Sequence, residues 1–258
     1  MESPLPTNKG KKPAGDMTLL EHIKDFRFRI ISSVVAIFIF SVVAYIFYQD
    51  LILILFKPFE ILEGSIGTNN SLFISTLFEG FVTKIKLSFF AGIIFSFPVH
   101  LYNFIRFIFP ALKYSEKKVI IIALATSLLL VFFSFYYSYA NLIPISVRFL
   151  TSSGFIPSKV GVILNFEKNV FYILQFIFIS LIVFQFPIIL ELLLMVNLLK
   201  RKSLLRMSRF IMVGIFILSA LLTPPDFVSQ VGLSLPLILL FFLTIFIAKI
   251  FKFGEGDV

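Results

Sequence analysis

The stretch NVFYILQFIFISLIVFQFPIIL at residues 169–190 decides the fold class of this chain. It contains no charged side chain, and a helix of this length extends about 33 Å at 1.5 Å per residue. The hydrocarbon core of a bilayer is about 30 Å thick and needs about 20 helical residues to cross it. The stretch therefore predicts a transmembrane helix.

Five further apolar runs without charge lie on both sides of this stretch, and together they predict an all-α integral membrane protein with six transmembrane helices. Because Pro224 and Pro236 interrupt the last two runs, we expect these two helices to be short. The predicted domain covers residues 18–252, between a disordered basic tail at 1–17 and a second tail at 253–258. The six predicted spans are about 29–48, 81–107, 119–147, 165–197, 209–223 and 227–248.

The composition supports a lipid-embedded chain and excludes several kinds of site. Hydrophobic residues make up 59% of the 258 residues, and charged residues only 14%, against about a quarter in soluble domains. The chain has no Cys, which excludes disulfides and thiolate metal sites, and its two His residues are far apart. In such a chain the net charge of +9 indicates membrane topology before it indicates nucleic acid, so no nucleic-acid partner is predicted.

The basic residues predict the orientation. With the amino terminus in the cytoplasm, 17 of the 23 Lys and Arg residues fall in the tails and in the connectors 106–118 and 198–209. The remaining basic residues are distributed over the outer loops. This division follows the positive-inside rule and predicts that both termini are cytoplasmic.

Catalytic and nucleotide-binding motifs do not occur in the sequence. It contains no G-x-x-x-x-G-K-[ST], no G-x-S-x-G and no H-E-x-x-H, and no acid lies in the middle of a span. We therefore predict a protein that is not an enzyme and that binds no cofactor and no metal. A solute or ion carrier with a site near Gln185 is the alternative, and an intramembrane enzyme ranks last.

Polar residues at membrane depth are few, and each has two interpretations. Gln185 is either a hydrogen-bonding link between helices or a contact for a substrate. In the turn LLTPPDFVSQ, Asp226 is a helix cap or part of a polar site for another helix. The same two interpretations apply to Thr223 and Gln230, which flank this turn.

Two cytoplasmic acids stand among basic residues. Asp25 lies four residues before Arg29, a spacing at which an ion pair forms on a helix. Glu116 follows Lys113 and precedes Lys117 in FIFPALKYSEKKV, residues 107–119. Positive-inside selection explains the lysines and leaves the acid unexplained. Each acid either pairs locally or binds a guanidinium of a partner, since a carboxylate accepts two hydrogen bonds from arginine.

Three motifs resemble one membrane protein family. LLEHIKDFRFRII is similar to the amino-terminal signature of TatC, the multi-spanning receptor subunit of the twin-arginine protein translocase. FVTKIKLSFFAGIIFSFPVHLYNFIRFIFPALKYSEKK resembles the second span and first cytoplasmic loop of that family, and LLTPPDFVSQVGLSLPLILLF its last outer turn. The order and spacing of the motifs extend over roughly residues 18–248, nearly the whole chain.

The resemblance implies a function and a set of site residues. It implies a receptor for twin-arginine signals on folded precursor proteins, powered by the proton-motive force, in the inner (plasma) membrane. Its implied partners are single-span proteins of the TatA and TatB type, in a multi-copy complex surrounded by membrane lipids. Gln185 stands where many members carry Glu, and Asp25 where the family usually carries Glu. The implied signal-binding residues are Asp25, Arg27, Arg29, Phe107, Leu112, Glu116 and Lys117. The implied docking site for partner helices at membrane depth comprises Gln185, Thr223, Asp226 and Gln230.

Overall fold

The computed structural model describes residues 19–60, 72–108, 117–152, 154–156, 164–195, 197–223 and 226–254. Nine α-helices, one π-helical segment and two short strands occur in these ranges. The helices are α1 (Leu19–Ile46), α2 (Tyr48–Glu60), α3 (Glu79–Ile108), α4 (Lys117–Tyr137), α5 (Ile143–Leu150), α6 (Phe166–Val183), α7 (Phe186–Met195), α8 (Arg201–Leu222) and α9 (Phe227–Ile250). The strands β1 (Leu72–Phe73) and β2 (Leu164–Asn165) pair in parallel, and the π-helical segment is Ser138–Leu142.

The predicted fold class is confirmed. Five segments are long and apolar enough to cross a membrane, and α3 adds a sixth span in two halves that meet at an angle of 46°. The segment α8 begins at Arg201, so the basic connector predicted at 198–209 is mostly helical, and the uncharged part of α8 begins only at Phe210. Both α8 and α9 are therefore longer helices than their uncharged runs suggested, at 22 and 24 residues.

Prolines account for the breaks inside the predicted spans. Pro187 lacks the N–H that would bond the carbonyl of Val183, and α6 ends at Val183 before α7 begins at Phe186. The bend of α3 lies between Phe95 and Phe97, next to Pro98. The π-helical segment likewise ends just before Pro144. Hydropathy predicted one span in each case. A proline removes a backbone hydrogen bond but leaves the segment apolar, so hydropathy does not detect the break.

The core of the bundle forms around α6, α7 and α9. Fully buried side chains there include Ile173, Phe184, Leu233 and Phe241. The segment α1 packs along the full length of α3 and otherwise exposes most of its apolar side chains, as expected of a helix that faces lipid. At their crossing, a Cβ at Gly92 would lie 2.0 Å from Ser41 Oγ and 2.8 Å from the Ser41 backbone nitrogen. Only glycine permits this approach of the two helices.

Candidate functional site

An aromatic contact joins the first turns of α1 to the last turn of α3. The ring of Phe107 stacks on His22, with centroids 4.6 Å apart and planes at 18°, and it contacts Phe26 at 5.0 Å. Further along α3, Asn103 Nδ2 donates hydrogen bonds to Ser33 Oγ at 2.9 Å and to the carbonyl of Arg29 at 3.4 Å. We call the surface formed by His22, Asp25, Phe26, Arg29 and Phe107 the α1–α3 face.

This face contains a charged pair on α1. Arg29 Nε donates to Asp25 Oδ2 at 2.6 Å, and the two side chains are only 15% and 23% exposed. The local ion pair expected from the i,i+4 spacing is therefore present. The acceptor Oδ2 is one of two carboxylate oxygens of Asp25, so this pairing leaves the second oxygen as a further acceptor.

The structure locates the other predicted signal-binding residues only in part. Arg27 is exposed on α1, one residue from Phe26. Lys117 is the first residue of α4. Leu112 and Glu116 lie outside the described residues. Asp25, Arg29 and Phe107 are thus brought together, with Arg27 beside them, and Glu116 directly precedes α4 in the sequence.

Gln185 lies in the break between α6 and α7 and is 4% exposed. Its backbone is well bonded, since its carbonyl accepts from the N–H groups of Ile188 and Ile189. Neither polar atom of its side chain has a hydrogen-bond partner in the described part of the chain, so the predicted link between helices is not formed there. Gln185 also borders a cavity of about 310 Å³, whose wall is otherwise apolar except for His100.

The turn between α8 and α9 is held by a buried polar network. Asp226 caps α9, with Oδ1 accepting from the N–H of Ser229 at 2.6 Å, and Oδ2 accepts from Ser146 Oγ at 3.1 Å. Ser146 Oγ in turn accepts from Tyr172 OH at 2.8 Å and from Ser229 Oγ at 2.6 Å. The network joins α5, α6 and α9. The capping role of Asp226 is confirmed by these contacts.

Thr223 and Gln230 bond to the backbone of α8 instead of joining that network. Thr223 Oγ1 donates to the carbonyl of Ser219 at 2.8 Å, and Gln230 Nε2 donates to the carbonyl of Phe216 at 3.2 Å. The three polar residues of the turn are therefore close in sequence but serve separate contacts. Gln185 belongs to a different place, at the break between α6 and α7.

One polar centre was missed from the sequence. Glu79, 5% exposed, accepts on Oε2 from the N–H groups of Ser75 and Thr76 at 2.5 and 3.2 Å. Its Oε1 accepts from Asn165 Nδ2 at 2.8 Å and from the N–H of Glu167 at 3.2 Å. This carboxylate fastens the start of α3 to the start of α6, which are joined also by the β1–β2 pairing. Nothing in TLFEG indicates a partner some 90 residues away.

In the described ranges, no group of three or more His, Cys, Asp or Glu side chains is placed to hold a metal ion.

The comparisons with known proteins agree with the fold. The family model for the Sec-independent protein translocase protein (TatC) matches residues 21–236. The chain belongs to the TatC family. It is a multi-pass membrane subunit of the Tat protein translocase, and the alternative of a solute carrier has no support.

Relatives and solved structures extend over nearly the whole of this TatC-family chain. The TatC protein of Carboxydothermus hydrogenoformans is 31% identical, with 92% of this chain and 94% of the relative covered. That of Aquifex aeolicus is 30% identical, with 91% and 95% covered. A crystal structure of the twin-arginine translocase receptor TatC superposes with a TM-score of 0.76 at 29% identity, covering 90% of this chain and all of that one.

Proposed function

We propose that this TatC-family subunit recognises twin-arginine signal peptides at the α1–α3 face. The observation that carries the proposal is the partly buried Asp25–Arg29 pair on α1, next in sequence to Phe26, which contacts the ring of Phe107. The second carboxylate oxygen of Asp25, which has no recorded partner among the described residues, accepts one guanidinium, and the aromatic edge supports the apolar part of a peptide that follows its arginines. The proposed site also includes Arg27, Leu112, Glu116 and Lys117. Glu116 is its second carboxylate.

Two acids suit two arginines because each guanidinium binds a carboxylate through a fork of N–H groups, which lysine cannot reproduce. The Asp25 carboxylate is already oriented by Arg29, and an oriented acceptor loses less side-chain entropy when the ligand binds. Asp25 carries the same charge as Glu but is one methylene shorter. We propose that its carboxylate binds the guanidinium from the position in which Arg29 holds it.

Binding of a synthetic twin-arginine peptide to the purified protein tests this site. We expect Asp25→Asn and Glu116→Gln each to weaken binding by about tenfold or more, since each removes a charge-assisted hydrogen bond worth about 1.5–3 kcal/mol. Asp25→Glu keeps the charge and should bind within a few-fold of the parent protein. Unchanged affinity in both neutral variants would rule out the site.

We further propose that polar side chains at membrane depth, at two separate places in the fold, contact single-span partners of the TatA and TatB type. The side-chain amide of Gln185 supports this proposal, because it is buried at the break between α6 and α7 without a hydrogen-bond partner in the described chain, and a polar side chain at membrane depth favours a partner on another helix. Thr223, Asp226 and Gln230 would contribute at the end of α8 and the start of α9. Photo-crosslinkers at residues 223 and 230 should capture a single-span protein, and crosslinks to lipid alone would contradict the proposal.

The proposed role as a Tat translocase subunit also concerns the energy source for transport, the membrane in which the protein lies and the complex that it forms. We propose a multi-copy complex in the cell inner (plasma) membrane that moves folded precursor proteins and uses the proton-motive force. The sequence supports this through its lack of a nucleotide-binding motif. A protonophore should therefore stop export while ATP is present. Export that continues without the proton gradient would refute this part.

A further inference from the structure

A dense apolar patch lies at the turn before α3. Five large side chains within nine residues are exposed there: Phe73, Ile74, Leu77, Phe78 and Phe81. Leu77 is 99% exposed and Phe78 is 77% exposed, which is extreme for residues in an ordered turn. We call these five residues the turn patch, and we propose that it is an interfacial anchor, buried in the lipid leaflet that surrounds the start of α3.

The depth of the patch supports a lipid environment. Toward the other end of α3, Arg106 is the first charged side chain after Lys86, and Asn103, one turn before it, donates a hydrogen bond to the carbonyl of Arg29. A hydrocarbon core of about 30 Å takes about 20 helical residues at 1.5 Å each. If the core begins at Asn103, it ends at about residue 83. The 46° bend within α3 shortens the path along the membrane normal and moves that limit closer to residue 80. Leu77 and Phe78 then lie in the headgroup zone, within reach of the acyl chains.

The exposed face of α3 is continuous with the patch. Phe78, Phe81, Ile85 and Phe89 recur at intervals of three and four, so they lie on one side of the helix, and all four are exposed. The deeper members of this row are in the span and face lipid. The row is apolar from Phe89 to Phe78. Because lipid surrounds Phe89, we infer that lipid also surrounds Phe78.

The charges nearest to the patch are directed elsewhere. The ammonium of Lys84 lies 4.0 Å from the ring centroid of Tyr45, and Lys86 donates to the carboxylate of Glu167. These two lysines flank the exposed row of α3 on opposite sides. Their charged ends are thus held against the protein by an aromatic ring and an acid, which leaves the row itself apolar.

Glu79 prepares the turn for a low-dielectric environment. Its carboxylate accepts from the backbone N–H groups of Ser75 and Thr76, which lipid would leave unpaired. The same contact fixes the backbone just before Leu77 and Phe78. Because the N–H groups of Ser75 and Thr76 are bonded to Glu79 and the large side chains of the turn are exposed, the turn has the properties of an interfacial anchor.

A single tryptophan reports the environment directly, because the chain contains none of its own. We would introduce Phe78→Trp, and separately Leu77→Trp, into the full chain reconstituted in phosphatidylcholine vesicles. Three quenchers would be compared: bromine on the acyl chain near the headgroup, bromine near the chain end, and iodide in the water. Phe89→Trp, on the same side of α3 and deeper, is the matched control.

We expect both turn variants to emit at blue-shifted wavelengths and to lose most intensity with bromine near the headgroup. Phe89→Trp should lose most intensity with the deeper bromine. Red-shifted emission that iodide quenches and bromine does not would show that the turn lies in water and would overturn the proposal. Emission that none of the three quenchers reduces would show that protein, such as a second copy of the chain, covers the patch, and would overturn it equally. These readouts do not depend on signal-peptide binding.

Discussion

At the scale of single residues, one carboxylate holds the turn between α8 and α9, because Asp226 caps α9 and also accepts a hydrogen bond from Ser146 on α5. The turn LLTPPDFVSQ predicted a helix cap, because an acid before a new helix accepts backbone N–H groups locally. The bond from Ser146 Oγ to Asp226 Oδ2 joins residues 80 apart, and no local pattern encodes it. For the same reason the role of Glu79 was not foreseen. The stacking of Phe107 on His22 also depends on how α1 and α3 pack, although Phe107 itself was identified through the family resemblance.

The Asp226 network predicts a graded loss of stability. Asp226→Ala removes the cap and leaves Ser146 and the Ser229 N–H without their acceptor, at a cost of about 3 kcal/mol. Tyr172→Phe removes one neutral hydrogen bond and should cost about 1 kcal/mol. Thermal unfolding in detergent would measure both variants. Equal stability of the two would show that the carboxylate is not the centre of the network, and twin-arginine peptide affinity should be unaffected in either.

At the scale of helices, hydropathy predicted where spans lie but not where they bend. Residues 169–190 contain no charge on either side of the break after Val183, because Pro187 removes a backbone N–H without adding a polar side chain. The basic stretch KRKSLLRMSR was interpreted as a connector from its charge, whereas Lys and Arg are good helix formers and α8 begins at Arg201. Length and charge therefore define the spans, and backbone hydrogen bonding defines the helix ends.

Two glycines, one at the crossing of α1 and α3 and one in α8, should respond in opposite ways to substitution by alanine. At Gly92 an added Cβ would meet the backbone of Ser41 at 2.8–2.9 Å, which no side-chain rotation relieves. Gly92→Ala should therefore cost roughly 1–3 kcal/mol and loosen the α1–α3 face. Gly214 in α8 has nothing within 4 Å of an added Cβ, so Gly214→Ala should stabilise the protein by up to about 1 kcal/mol. Thermal unfolding would measure the change in stability of each variant. A change of the same sign in both would contradict this packing.

At the scale of the whole molecule, composition predicted a six-span membrane protein, and the structure and the comparisons confirm the fold class and the TatC family. The orientation remains a prediction from the basic residues. Because the chain has no Cys, single cysteines test it cleanly. A cysteine at Asn197 should react with an impermeant maleimide only from the cytoplasmic side, and one at Phe155 only from the outer side. The reverse pattern would overturn the predicted topology.

The central claim is that paired arginines are recognised by two carboxylates, Asp25 on the α1–α3 face and Glu116. The most direct measurement compares the affinity of the purified protein for a folded precursor with a twin-arginine signal and for the same precursor with two lysines. Lysine keeps the charge and loses the fork of donors, so we predict at least about tenfold weaker binding of the lysine form. This difference should shrink in Asp25→Asn. Equal affinity for the two precursors would contradict recognition of arginine at this face.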